Sequence, residues 1–120
     1  MITYVPQPKD SKLCGQACLA MLCGITLDQA IKEIGHKHGT RTAELVRVLR
    51  RYGWKIGYHG RLRKISIKSV FPKATIFKMR CIYNHESHWI VVVDGKIFDP
   101  ACEGSVTGFG RLTSFLEIEK

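Results

Sequence analysis

Asp94-Gly95, set between Trp89-Ile90-Val91-Val92-Val93 and Lys96-Ile97-Phe98-Asp99, constrains this chain more than any other feature. An Asp-Gly pair between two apolar runs is the strongest short-range sign of a β-hairpin, because the favoured tight turn needs positive φ at both central residues. A two-residue turn there pairs Val93 with Lys96, Val92 with Ile97, Val91 with Phe98 and Ile90 with Asp99. Side chains alternate along a strand, so His88, Ile90 and Val92 share a face with Ile97 and Asp99, while Trp89, Val91, Val93 and Phe98 share the other. His88 and Asp99 are then diagonal neighbours, roughly 7 to 8 Å apart at the backbone, a gap that leaning side chains bridge. A slip of one residue would put them on opposite faces.

Two more segments, Trp54 to Tyr58 and Ala74 to Tyr83, are rich in β-branched and aromatic residues and read as strands. The N-terminal half is helical instead. Cys14 to Leu22 contains no charged residue, so the predicted helix should be buried on most sides, as a central helix against a sheet is. Ser11 is its expected N-cap and Gly24 its stop. Thr26-Leu27-Asp28-Gln29 matches a capping box and predicts a second helix ending near Gly35. Thr40 to Tyr52 has helical spacing, with Leu45, Val46, Val48 and Leu49 apolar among Arg47, Arg50 and Arg51, and Gly53 closes it. The tail from Gly104 to Lys120 is ambiguous between strand and short helix. Helices first and antiparallel strands afterwards make an α+β domain, and 120 residues suit a single domain spanning 1–120.

No charge-free apolar run reaches the roughly 18 to 20 residues that span a bilayer, and the first residues lack a basic region followed by an apolar core. A soluble, cytoplasmic protein with no membrane span is expected. Five cysteines, an odd number with no Cys-x-x-Cys pair, argue for thiols in a reducing compartment rather than a disulfide framework or a structural zinc site. No metal or cofactor is expected; the alternative set Cys81, His85 and His88 would draw two ligands out of the strand pattern. His36, His38 and His59 read as surface residues, and Cys18 and Cys23 as core. The formal charge is +9, and between Leu45 and His85 eleven lysines and arginines face no Asp or Glu. Such a segment steers an acidic partner or simply keeps the chain soluble.

Cys14, followed by Gly15, opens the buried helix. With His88 and Asp99 it makes a nucleophile, a base and an orienting carboxylate. A free thiol titrates near pH 8.5, and both the N-terminal turn of a helix and a neighbouring imidazolium favour the thiolate. The Cys14 backbone N–H can help bind the oxyanion, and Gln7, a neutral amide upstream, is the candidate side-chain donor.

Cys14-Gly15-x-Ala17-x-Leu19, followed by His88-Trp89-Ile90-Val91-Val92 and Asp99-Pro100, resembles the bacteriocin-processing peptidases, a family of papain-like cysteine peptidases that cut leader peptides after a double glycine. The resemblance spans Gln7 to Pro100. It implies a papain-like fold with N-terminal helices packed on a C-terminal antiparallel sheet. It also implies Cys14 as nucleophile, His88 as general base and acid, Asp99 as orienting carboxylate and Gln7 as oxyanion donor. Leu13 stands where the family usually has Asp, and Gln7 lies seven residues before the cysteine where the family's glutamine lies six before it. Those peptidases are commonly the N-terminal domain of an exporter, and no transporter portion is seen here, which suggests a different substrate. The expected activity is cleavage of a peptide or isopeptide bond in a peptide or protein, with an acidic substrate favoured by the basic segment. Glutamine deamidation or acyl transfer through the same thioester, and a non-catalytic module binding nucleic acid or an acidic protein, are the alternatives. The oligomeric state is not legible.

Overall fold

The computed structural model describes residues 2–61, 74–81, 87–94, 96–101 and 110–119, with side chains described over 2–57, 88–94, 96–101 and 116–119. Among these residues three helices come first: α1 (Cys14–Cys23), α2 (Leu27–Ile34) and α3 (Thr42–Arg51). Five strands follow among them: β1 (Lys55–Arg61), β2 (Ala74–Cys81), β3 (Ser87–Val93), β4 (Lys96–Phe98) and β5 (Gly110–Glu119). The chain is therefore of mixed α+β class.

Every helix carries the sequence signals that end it or start it. Gly24 takes a left-handed conformation at φ 66° and returns its N–H to Ala20 O, which stops α1. The capping box at Thr26 is complete: Thr26 Oγ1 accepts from Gln29 N at 3.1 Å, and Gln29 Oε1 accepts from Thr26 N at 2.9 Å. Gly53, at φ 87°, follows α3. Two expectations fail at helix starts. Leu13, whose side chain has no hydrogen-bonding atom, is the N-cap of α1 in place of Ser11, whose hydroxyl turns back to donate to Pro8 O at 2.6 Å. The third helix begins at Thr42, since Thr40 is buried with its carbonyl taken by Trp89 Nε1 at 3.1 Å.

The strands form one antiparallel sheet in the order β1-β5-β2-β3-β4. The hairpin register is the one that the Asp-Gly turn demands, with Val91 opposite Phe98, Val92 opposite Ile97 and Val93 opposite Lys96, and Asp94 has φ 51°. The ambiguous tail resolves as strand from Gly110 onward, where β5 enters between β1 and β2. Its earlier part, 104–109, lies outside the described residues, as do Ile82 and Tyr83.

The core joins helices to sheet. Leu19, Leu22, Leu45, Leu49, Trp89, Val91, Leu116 and Ile118 belong to one buried cluster, and α1 is buried along nearly its whole length. Trp89 and Val91 enter it together because they are two apart on β3, as Leu116 and Ile118 are on β5. Among the described residues no single helix is long and apolar enough to cross a membrane.

Candidate active site

Cys14 is the first residue of α1, so the unpaired N–H groups and positive end of the helix dipole lie at its backbone. No acidic side chain sits in that turn and no side chain caps it. Gly15 must be glycine: a Cβ there would stand 1.7 Å from Thr40 Oγ1 and 2.8 Å from Thr40 Cβ. Thr40 thus presses directly on the turn that carries Cys14, and Trp89, the neighbour of His88, holds Thr40 from behind.

The hairpin brings the other two groups together. His88 Nε2 lies 2.6 Å from Asp99 Oδ1. A carboxylate can only accept, so the proton of this bond sits on Nε2, which leaves Nδ1 as the nitrogen for a second partner. The Cys14 thiol acts on the same imidazole, as one of the neighbours that raise its pKa. Burial alone would lower the His88 pKa. The hydrogen bond that His88 donates to Asp99, then the neighbouring Cys14 thiol, and the attraction of both groups outweigh it and raise the pKa to about 9. At neutral pH the imidazole is therefore a cation.

Asp99 is fully buried. Its Oδ1 also accepts from Ala101 N at 2.9 Å, while Oδ2 has no hydrogen-bond partner. The carboxylate is thus held by one oxygen, and that oxygen faces the imidazole. His88 keeps 17% of its side-chain surface and Cys14 6% of its residue surface, a narrow opening on an otherwise enclosed pair.

Gln7 is half-buried, and its backbone N–H donates to Pro100 O at 2.8 Å, which puts it beside the turn that follows Asp99. Its Nε2 donates to Ser11 O at 2.9 Å. A primary amide has two N–H bonds, so one is left for another acceptor.

Cys18, one turn further along α1, is a different kind of thiol. Burial pushes its pKa up, and the nearby Cys14 and Asp99 push in the same direction, so it stays protonated. None of Cys14, Cys18 and Cys23 forms a disulfide. His85 lies outside the described residues, as does the Cys81 side chain, so the alternative metal set reduces to His88, whose ring is already engaged.

His36 is half-buried rather than a surface residue. Its Nε2 donates to Glu44 Oε2 at 2.6 Å and its Nδ1 accepts from His38 N at 3.1 Å. The carbonyls of His36 and His38 in turn accept from Gln16 Nε2, both at 3.0 Å, which ties this loop to the first turn of α1. His38 is exposed, and the His59 side chain lies outside the described residues.

Part of the basic segment has an internal role. Arg47 donates to the backbone carbonyls of Glu33 and Ile34 at 3.1 and 3.4 Å, and Arg51 pairs with the Glu33 carboxylate at 2.7 Å. Arg63, Lys64, Lys68 and Lys73 lie outside the described residues.

Sequence reasoning missed Tyr4, whose hydroxyl donates to Asp99 O at 2.8 Å, and Thr40, which has no motif around it. Neither contact leaves a trace in local spacing, because each joins segments far apart in the chain. No protein-family model matches the chain, and no curated protein matches it in sequence.

Proposed function

We propose that this protein is a cysteine peptidase with a papain-like arrangement, in which a nucleophile on a buried helix meets a histidine and an aspartate on an antiparallel sheet. The reading rests on one observation: His88 is hydrogen-bonded to Asp99 through Nε2, and Cys14 is among the neighbours that raise its pKa. Cys14 attacks the carbonyl of a peptide or isopeptide bond as a thiolate. The developing oxyanion faces the Cys14 N–H at the start of α1 and the second N–H of Gln7. His88 passes its proton to the leaving amine, and the resulting thioester is hydrolysed by a water that His88 deprotonates, which releases the carboxylic acid and returns the thiolate and the imidazolium. Asp99 keeps the imidazole in the tautomer that this sequence needs.

The substrate is a peptide or protein, and the exposed cations Arg50 and Lys55, with the rest of the basic segment, favour an acidic one. Incubation with a mixture of unstructured acidic and basic peptides, read by mass spectrometry, tests the assignment. Chain cleavage by the wild type and none by Cys14→Ala is the expected result. Cleavage that survives Cys14→Ala overturns it, and hydrolysis of a side-chain amide without a chain break assigns a deamidase instead.

A further inference from the structure

The N-terminal arm, residues 2–13, reaches the site at a point that the proposed chemistry does not use. β4 is three residues long and, among the described residues, pairs with β3 alone, so Asp99 stands just past the end of an edge strand. The chain then turns through Pro100, which has no N–H, and the Ala101 N–H is spent on Asp99 Oδ1. Two buried carbonyls remain in this turn, and the arm satisfies both. Tyr4 donates its hydroxyl to Asp99 O at 2.8 Å, and Gln7 donates its backbone N–H to Pro100 O at 2.8 Å.

This tether matters because the carboxylate has so little else. Among the described residues Asp99 Oδ2 has no partner, so the carboxylate is oriented through Oδ1, by the Ala101 N–H and by the backbone that carries both residues. The arm then runs on through Pro8 and Ser11 into Cys14, so one continuous stretch of chain holds the aspartate at one end and supplies the nucleophile at the other. We infer that Tyr4 is a positioning residue: its hydroxyl fixes the Asp99 backbone so that Oδ1 meets His88 Nε2. The inference rests on the cysteine-hydrolase reading of the site, which it extends to a residue outside the three.

Tyr4→Phe removes the hydroxyl and keeps the ring that packs against the core. The test follows the His88 imidazole by NMR across pH in wild type, in Tyr4→Phe and in Thr26→Ala. The last removes the cap of α2, beyond the C-terminal end of α1, roughly 15 Å along the helix from Cys14. Both variants should lose some stability to urea. Only Tyr4→Phe should move the His88 midpoint, down from about 9 by at least roughly half a pH unit, about threefold in proton affinity.

Equal midpoints in Tyr4→Phe and wild type, with a lowered urea midpoint, would assign Tyr4 to the fold alone and overturn the inference. A wild-type His88 that titrates near 6.5 would sink the paired site and the tether together. Failure to cleave peptides is a separate outcome: it removes the peptidase reading and leaves the His88 comparison as a valid test of Tyr4. Tyr4→Trp, which restores a ring with a donor at a different reach, should stay closer to Tyr4→Phe than to wild type.

Discussion

Replacing Asp99 with asparagine should change how the stability of this protein depends on pH, and the structure gives the size of the change. His88 has a pKa of about 9 in the folded protein against 6.5 as a free side chain. The gap corresponds to roughly 3 kcal/mol of preference for the imidazolium in the folded state. Because the folded pKa is the higher one, the native state holds more protons than the unfolded chain between those values, and stability falls as pH rises. The contribution is complete below pH 6.5 and is lost as pH climbs through about 9. About 2 kcal/mol of it should disappear between pH 6 and pH 8, a window that ends before free thiols titrate in bulk.

Asp99→Asn removes the hydrogen bond and the charge that raise the His88 pKa, while the burial that lowers it stays. The variant also has no good orientation. With its oxygen at the present Oδ1, its NH2 group occupies the site of Oδ2, which offers no partner; turned over, the NH2 group meets the Ala101 N–H. Either way a further cost of about 1 to 3 kcal/mol, independent of pH, is expected. Urea unfolding of both proteins at pH 6, 7 and 8 separates the two effects. The wild-type advantage should be largest at pH 6 and shrink by up to about 2 kcal/mol by pH 8. An advantage that is constant across the three pH values would refute the claim that Asp99 holds His88 as a cation.

Gly15→Ala should cost about 3 kcal/mol or more in urea unfolding, because the new methyl group collides with buried Thr40 and α1 is fixed on both sides. Gln16→Leu leaves the His36 and His38 carbonyls without their donor and should cost about 2 kcal/mol or more, with faster amide exchange across 36–40 as the local sign. Thr26→Ala should lower stability by about 1 kcal/mol through loss of the α2 cap.

The local signals in this sequence were strong where both partners of an interaction lie within a few residues. The capping box at Thr26, the glycine stop at Gly24 and the Asp94-Gly95 hairpin are all of this kind, and the last one carried His88 and Asp99 to within hydrogen-bond reach. Ser11 misled because a short hydroxyl has several local acceptors, and a carbonyl three residues back was the nearer one. The insertion of β5 between β1 and β2 had no local sign at all, since strand order is decided by which apolar faces bury together. The same is true of Tyr4 and Asp99, 95 residues apart, and of Thr40 and Trp89, 49 apart.

Three thiols on a single helix allow the sharpest separation of chemistry from access. Cys23 is half-buried at the C-terminal end of α1, Cys14 is 6% exposed and Cys18 is sealed. If access alone governed alkylation, Cys23 would react first, Cys14 more slowly and Cys18 only on unfolding. Under the proposed mechanism, however, Cys14 is the nucleophile that His88 serves, and the thiolate is the species that reacts with alkylating agents. Iodoacetamide at pH 6, with each cysteine quantified by peptide mapping, should therefore label Cys14 ahead of the more exposed Cys23. Cys18, held protonated by burial and by its neighbours, should label last. In His88→Ala the order should revert to the order of exposure, with Cys23 first. Labelling of Cys18 alongside Cys14 in the native wild type would mean that the two thiols share an opening, and the distinction between a nucleophile and a core thiol one turn apart would fail.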